Sequence, residues 1–263
     1  MKKSFAGILF HLFVLNLTIA QLNRASLENT QSFEFFSAEV KDSFNISVAF
    51  PYDYHQSNKD YTTLYVLDAN VTFGMVRDIQ LLMSFEPENK PLLIVGIGYK
   101  DFNNWLSNRS RDYVNKVSDL DQGSKFLSFL KNELIPHIDM EYRTSAKKII
   151  YGHSTAGLFG LSVLLNTTLF DGYIITSPSI DEDKNYIIDL EESNKTRKLV
   201  GKIFISYGSK EDELFKQKCF QFIEKLKSRN HQKLYIMSTE SKGSHMTSMA
   251  PSFVEGLQFV TKE

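Results

Sequence analysis

The sequence predicts an α/β protein with a mostly parallel, doubly wound sheet, an antiparallel N-terminal hairpin and helices on both faces. Short, continuous apolar runs, such as residues 92–97, are typical of parallel strands that helices cover on both sides. These runs alternate along the chain with longer segments of helical pattern, which is the order expected of a parallel sheet. The first two strand-like segments instead follow each other directly, which indicates a hairpin.

The hydrophobic pattern defines the elements in the order of the chain. Residues 33–40 and 43–50 are the predicted hairpin strands, because residues 44–50 alternate apolar and other side chains with a period of two. Further strands are predicted at 62–67, 92–97, 147–151, 172–176, 202–207 and 233–237, and helices at 71–84, 122–138, 158–165, 213–229 and 249–261. No internal repeat and no linker rich in Pro, Gly or Ser interrupts this series, which favours a single domain over residues 21–263.

Length and charge exclude several classes of protein. A chain of 263 residues suits one large α/β domain. With 30 basic and 31 acidic residues the net charge is −1, so no basic field attracts nucleic acid or an anionic membrane. The local basic run at residues 195–198 is expected to lie on a solvated loop.

The N-terminus has the pattern of a cleavable signal peptide. A Met-Lys-Lys start precedes the largely apolar residues 5–20, which are short for a membrane span and end in the small residue Ala20. The mature chain is expected to begin near Gln21, and the alternative is an uncleaved anchor. Cys219 is the only cysteine, so no intramolecular disulfide forms. Export without disulfides suits a periplasm or a bacterial exterior better than a eukaryotic secretory route.

Residues 152–156, Gly-His-Ser-Thr-Ala, lie between a predicted strand and a predicted helix. This is a Gly-x-Ser-x-Ala variant of the nucleophile elbow, which places Ser154 at the tip of a sharp turn. Gly152 and Ala156 are small because strand and helix approach closely there. The helix N-terminus offers N–H groups and a positive dipole to an oxyanion. The alternative, a serine in an ordinary turn, is weakened by the strand–turn–helix context.

A serine nucleophile needs a base, and the base needs an orienting acid. In α/β-hydrolases the chain order is serine, acid, histidine. Only two histidines follow the elbow. His231 lies in a polar loop that enters a strand, which places it at the opposite edge of the sheet. His245 lies between the last strand and the last helix, where the base belongs, so we predict His245; the alternative is a histidine on a surface loop.

The acid is expected in the turn after the strand 202–207. Glu211 stands three residues after the glycine that begins this turn, and Asp212 competes with it. Spacing alone does not separate the two, and acidic residues also favour a helix N-terminus for electrostatic reasons. The oxyanion hole would combine the backbone N–H of Thr155 with a second N–H from Ala69 or Asn70.

Short motifs along the whole predicted mature chain occur in the order of a known family. They are Leu-Tyr-Val-Leu-Asp at 64–68, Val-Gly-Ile-Gly-Tyr at 95–99, Arg-Ser-Arg-Asp-Tyr at 109–113, Glu-Leu-Ile-Pro at 133–136, Gly-His-Ser-Thr-Ala-Gly at 152–157, Ser-Pro-Ser at 177–179 and residues 245–259. Together they resemble the Putative esterase family of the α/β-hydrolase superfamily, which includes esterase D and the enterochelin and bacillibactin esterases.

The resemblance implies hydrolysis of a carboxylic ester through an acyl-enzyme, without metal or cofactor. Ser154 matches the nucleophile, His245 the base and Glu211 the position of the acid. The expected partner is a small-molecule ester: a siderophore, polysaccharide-linked or small acyl ester. Residues 179–183 lack the aromatic side chains often found there in the family, which argues against aromatic siderophores. The alternatives are a ligand-binding protein without turnover and an acyltransferase that uses the same serine.

The chain differs from the family pattern at two further positions, and three of its residues are candidates for substrate binding. Ala156 replaces the commoner glycine, and Asn115 stands where proline is frequent. Trp105, beyond a strand's carboxyl end, would line the substrate pocket or pack its own loop. Arg109 and Arg111 would face the substrate or, as we favour, form an ion-pair network that pins a loop.

Overall fold

The computed structural model describes residues 26–114, 122–180 and 186–262, and within them eight strands form one sheet. The predicted signal peptide, residues 1–20, the predicted start at Gln21 and Asn115 lie outside these residues. The strands are β1 (Thr30–Ser37), β2 (Asp42–Ala49), β3 (Tyr61–Val66), β4 (Leu93–Tyr99), β5 (Thr144–His153), β6 (Gly172–Thr176), β7 (Val200–Gly208) and β8 (Lys233–Ser241). Their order across the sheet is β1-β2-β4-β3-β5-β6-β7-β8.

The pairing confirms the predicted fold class. β1 pairs antiparallel with β2, and β2 pairs antiparallel with β4. Every other neighbouring pair, from β4–β3 to β7–β8, is parallel. The turns that follow the parallel strands therefore meet at one edge of the sheet. β3 lies between β4 and β5, so the chain order reverses around β3, where open α/β sheets bind ligands.

Helices cover both faces, as predicted. α1 (Ala69–Met83) and α8 (Met249–Thr261) pack on one face, where Phe73, Val76 and Phe253 join the core. The other face carries α2 (Trp105–Tyr113), α3 (Gln122–Ser128), a π-helical turn (Phe129–Leu134), α4 (Ile135–Glu141), α5 (Thr155–Asn166), α6 (Tyr186–Ser193) and α7 (Glu213–Ser228). No helix in the described part of the chain combines the length and the apolar character that a membrane crossing would need.

The structure differs from the sequence prediction in three helical regions. The predicted helix 122–138 is interrupted by the π-helical turn and extends to Glu141. Helices α2 and α6 were not predicted. α2 is short and polar, and α6 has eight residues, so neither shows enough apolar repeat to stand out from a loop. α2 matters for function because it lies directly after β4, at the edge where the predicted site residues lie.

Candidate active site

Ser154 occupies the turn between β5 and α5 in a strained backbone conformation. Its φ of 60° and ψ of −125° lie in a region that residues other than glycine rarely adopt. The turn is held by two backbone bonds, from Ser154 N–H to Thr176 O at 2.9 Å and from Leu158 N–H to Ser154 O at 3.0 Å. A Cβ at Gly152 would lie 2.4 Å from the carbonyl oxygen of Ala156. The close approach expected from the elbow motif is therefore present.

His245 and Glu211 meet at the same edge of the sheet. His245 Nδ1 lies 3.1 Å from Glu211 Oε2. The other carboxylate oxygen, Oε1, accepts hydrogen bonds from Gly208 N–H at 2.8 Å and from the Ser177 hydroxyl at 2.5 Å. Burial raises the pKa of Glu211, but the bonds from His245, Ser177 and Gly208 outweigh it, so the pKa lies below its usual value. Glu211 is thus an ionised acceptor for the imidazole at neutral pH.

The two acids that spacing left open have different surroundings. Asp212 is exposed and is the N-cap of α7, where its Oδ1 accepts a hydrogen bond from Leu214 N–H at 2.9 Å. The Glu211 side chain is only 3% exposed and faces His245. Asp212 therefore has the role at a helix N-terminus that the acidic residues of this turn could all have had. Glu211 is the acid in contact with the histidine.

The hydroxyl of Ser154 hydrogen-bonds to Ser179, which the sequence analysis assigned no role. The two Oγ atoms are 3.1 Å apart, and Ser179 is buried in the turn after β6. Ser177 in the same turn has a φ of 45° and reaches Glu211. The turn after β6 thus contacts both the predicted nucleophile and the predicted acid. Its position at the carboxyl end of a strand next to the elbow was the available sequence signal.

His153 is a second residue for which no role was predicted from the sequence. It is buried, its Nδ1 lies 3.0 Å from Thr176 Oγ1, and its ring lies 4.6 Å, centroid to centroid, from that of His245. Burial, together with the nearby His245, lowers the pKa of His153 to about 3. His153 is therefore an uncharged packing surface for His245. No local pattern predicts the contact, because it joins the end of β5 to the turn after β8, which is far away in the sequence.

The predicted oxyanion donors lie at two adjacent helix N-termini. Thr155 is the first residue of α5, and Ala69 and Asn70 are the first two of α1. N–H groups of a first helical turn have no acceptor within their helix. The two helices follow the neighbouring strands β5 and β3, so their first turns lie at the same edge. The Asn70 side chain is engaged elsewhere: its Nδ2 donates to Tyr99 O at 2.8 Å, and its Oδ1 accepts from Tyr99 N–H at 2.6 Å.

Arg109 and Trp105 belong to a buried polar cluster beside the elbow. Arg109 Nη2 lies 2.9 Å from Asp68 Oδ2, Trp105 Nε1 donates to Asp68 Oδ1 at 3.0 Å, and Arg109 Nη1 donates to Thr155 Oγ1 at 3.2 Å. Burial raises the pKa of Asp68, while the bonds from Arg109 and Trp105 oppose that shift. The cluster joins the start of α1, helix α2 and the elbow.

Arg111 lies in a separate pair of ionic contacts. Its guanidinium bonds Asp112 and Asp42, each at 2.7 Å, which ties α2 to the start of β2. Two roles were considered for these arginines, contact with the substrate and an ion-pair network. Arg111 forms the ion-pair network. At Arg109 the ion pair adjoins the elbow, so this side chain borders the candidate site even though a carboxylate already neutralises its charge.

Comparisons with known proteins agree with this fold. The sequence profile of the family described as "Putative esterase" matches residues 37–250. The ferri-bacillibactin esterase BesA of Bacillus subtilis is 34% identical over 147 residues, which are 49% of this chain and 51% of BesA. The chain thus spans about half the length of the curated relatives that it matches.

Solved structures extend the likeness over nearly the whole chain. The BES protein from Bacillus cereus has a TM-score of 0.83 at 25% identity, covering 92% of this chain and 98% of that one. An IroE-like serine hydrolase from Shewanella oneidensis has a TM-score of 0.77 at 23% identity, covering 87% of this chain and 79% of that one. The fold is that of the α/β-hydrolases. Because the profile match covers most of its length, the chain belongs to the Putative esterase family.

Proposed function

We propose that this protein is a serine-dependent carboxylic ester hydrolase that works through an acyl-enzyme. The observation that carries the proposal is the hydrogen bond between His245 and Glu211 at the edge of the sheet where the strained elbow presents Ser154. A buried, ionised carboxylate orients an imidazole, which is what a serine nucleophile requires of its base and acid. Family membership supports the same chemistry.

In the proposed first step, Ser154 Oγ attacks the ester carbonyl while His245 Nε2 takes the hydroxyl proton. Glu211 holds Nδ1–H and stabilises the imidazolium. The backbone N–H of Thr155 and that of Ala69 or Asn70 bind the developing oxyanion. His245 then donates its proton to the departing alcohol, which leaves an acyl group on Ser154. In the second half-reaction a water molecule, deprotonated by His245, attacks that acyl group. The bond to Ser154 Oγ then breaks, the carboxylic acid leaves, and His245 returns the proton to Oγ.

Ser154 must change its hydrogen-bond partner before it reacts. Its hydroxyl bonds Ser179 in this structure, so it would turn from Ser179 towards His245 when the substrate binds. Catalytic hydrogen bonds often form fully only in the substrate complex. Ser179 would then hold the serine in a defined rotamer between turnovers.

We propose siderophore esters as the substrate class. The support is the 34% identity to a protein named for hydrolysing ferri-bacillibactin. A panel that contains a siderophore lactone, a feruloylated saccharide and p-nitrophenyl butyrate would test this choice. The highest kcat/KM should be found for the lactone, and a preference of about tenfold or more for either of the others would contradict it.

We also propose that the protein is exported, with residues 1–20 removed as a signal peptide. The support is the basic start, the apolar stretch and the small residue at position 20. Expression with the native N-terminus in a secreting host should yield a protein whose intact mass corresponds to a start near Gln21. A cell-associated protein that retains residues 1–20 would contradict the proposal.

The decisive experiment on the reaction replaces Ser154. Wild type should hydrolyse p-nitrophenyl butyrate, and Ser154→Ala should lower kcat by about 10³-fold or more. Ser228→Ala is the matched control, because this exposed serine lies at the C-terminal end of α7, away from the elbow. A fluorophosphonate probe should label the wild type and the control but not Ser154→Ala. An undiminished rate in Ser154→Ala would refute the mechanism, and an unlabelled wild type that still binds ligand would indicate a binding protein.

A further inference from the structure

A cavity lies at the edge of the sheet opposite the candidate active site. It has a volume of about 460 Å³ and lies between residues 195–200, which lead into β7, and residues 229–233, which lead into β8. β7 and β8 are parallel neighbours, so these two entry segments lie side by side at the amino ends of the strands. The turns that hold Glu211 and His245 follow the same two strands at their carboxyl ends. The cavity is therefore separate from the candidate active site.

The cavity wall is strongly basic. Its charged side chains are Lys195, Arg197, Lys198, Arg229 and Lys233, and none of the aspartates and glutamates that the structure describes lines it. A basic cavity is unexpected in a chain whose net charge is −1. The run at residues 195–198 is an exposed loop, as expected, and it also forms one side of this cavity.

Only two of these five cations are neutralised. Lys195 pairs with Glu192 at 3.0 Å, and Arg229 pairs with Glu191 at 2.8 Å and with Glu192 at 2.5 Å. In the part of the chain that the structure describes, Arg197, Lys198 and Lys233 have no carboxylate within ion-pair distance. Three positive charges thus line the cavity on its two sides without a carboxylate partner among the described residues.

The wall also contains an unsatisfied polar atom. Nε2 of His231 is buried and has no hydrogen-bond partner among the described residues. Burial is the main cause of a lowered pKa for His231, so its ring is neutral at neutral pH.

We propose that this cavity binds a small anion that carries two or more phosphate or carboxylate groups. Arg197 offers a planar fork of donors that matches either group, and Lys198 and Lys233 add point charges on opposite sides. The volume falls within the range of small-molecule sites and exceeds what a single oxyanion would fill.

Isothermal titration of the full chain at low salt tests the proposal, with pyrophosphate and citrate as separate probes. We expect saturable binding of at least one probe, and the tighter of the two identifies the group that the site prefers. The double variant Arg197→Ala/Lys198→Ala and the single variant Lys233→Ala should each weaken binding by about tenfold or more. Raising the salt concentration should weaken binding in the wild type, because the attraction is electrostatic.

Lys131→Ala is the control, because Lys131 is an exposed lysine in the π-helical turn, away from the cavity. Its affinity should equal that of the wild type. Ester hydrolysis by the cavity variants should also stay at the wild-type rate, which separates this proposal from the one for Ser154. The cavity proposal is refuted if neither probe binds the wild type at about 1 mM. It is also refuted if the cavity variants bind as tightly as Lys131→Ala.

Discussion

The imidazole ring of His153 packs against that of His245, with the centroids 4.6 Å apart and the ring planes inclined by 50°. On another side, Phe215 meets His245 edge-on at 5.6 Å. Glu211 then accepts the hydrogen bond of Nδ1. The residue that we propose as the base is thus oriented by two ring contacts and one carboxylate, and only one of these three neighbours was a candidate from the sequence.

Replacing His153 should change how stability depends on pH. The pKa of His153 is about 3 in the folded protein and about 6.5 in an unfolded chain. Between these values the unfolded state binds one more proton, so the free energy of unfolding falls as the pH is lowered. The fall approaches 1.4 kcal/mol per pH unit. We expect His153→Gln to lose this contribution, and hence to show a shallower decline between about pH 6.5 and pH 5.

Urea unfolding at half-unit pH steps would measure how the free energy of unfolding depends on pH in the wild type and in His153→Gln. The chosen window lies above the pKa values of ordinary carboxyl groups, so aspartate and glutamate contribute little to the difference. Parallel curves for wild type and His153→Gln would show that His153 already accepts a proton in the folded state near pH 6, against this prediction.

Replacing the carboxylate by an amide should lower kcat at Glu211 but leave it unchanged at Asp212. Glu211→Gln replaces the carboxylate that holds His245, so kcat should fall by about 10²- to 10⁴-fold. Asp212→Asn keeps a good N-cap for α7 and should retain the wild-type rate, while Asp212→Ala should lower stability by about 1 kcal/mol. Steady-state kinetics and urea unfolding on the three variants separate the two roles. Loss of activity in Asp212→Asn with a normal Glu211→Gln would reverse the assignment.

Two glycine-to-alanine changes form a matched pair. At Gly152 the new Cβ would lie 2.4 Å from a backbone oxygen of Ala156, so strand and helix must move apart. We expect a loss of about 2 kcal/mol or more and reduced activity, because the elbow itself would shift. At Gly74, inside α1, a Cβ meets no atom within 4 Å. Gly74→Ala should therefore raise stability by about 0.5–1 kcal/mol, through helix propensity alone. Thermal unfolding of both variants checks the pair, and a stable, fully active Gly152→Ala would show that the close approach is not required.

Substitutions at Asp68 and Arg109, which form a buried ion pair, should have strongly coupled effects on the free energy of unfolding. Their side chains are 5% and 12% exposed, and Arg109→Met would leave a buried carboxylate with Trp105 as its remaining side-chain donor. The expected loss is about 3–5 kcal/mol. In the double variant Asp68→Asn/Arg109→Met most of that loss should be recovered, because asparagine is uncharged and tolerates the left-handed φ of 54° at this position. A double-mutant cycle, measured by urea unfolding, gives the coupling free energy between the two side chains. Strictly additive losses of unfolding free energy would contradict the prediction that the two buried charges stabilise each other.

The elements that the sequence predicted well are those with a strong local pattern. β6 and α8 have the predicted bounds, since continuous apolar runs and amphipathic repeats need no information from the rest of the chain. The elbow was predicted for the same reason, because the turn, the strand before it and the helix after it are contiguous. α2 lacked such a signal. It forms where Asp68 and Asp42 hold its two arginines, contacts that no stretch of nine residues reveals.

The sequence by itself determined the alternation of strands and helices, the turn that presents Ser154, and the chain order of Ser154, the acidic turn and His245. Each of these follows from residues that are close together in the chain. The tertiary structure decided which acid meets His245, 34 residues away from it, and that His153 packs on the same ring. It also decided that the basic residues before β7 and β8 face one cavity. These contacts depend on the order of the strands in the sheet and on their register, which bring distant turns together and which no local pattern encodes.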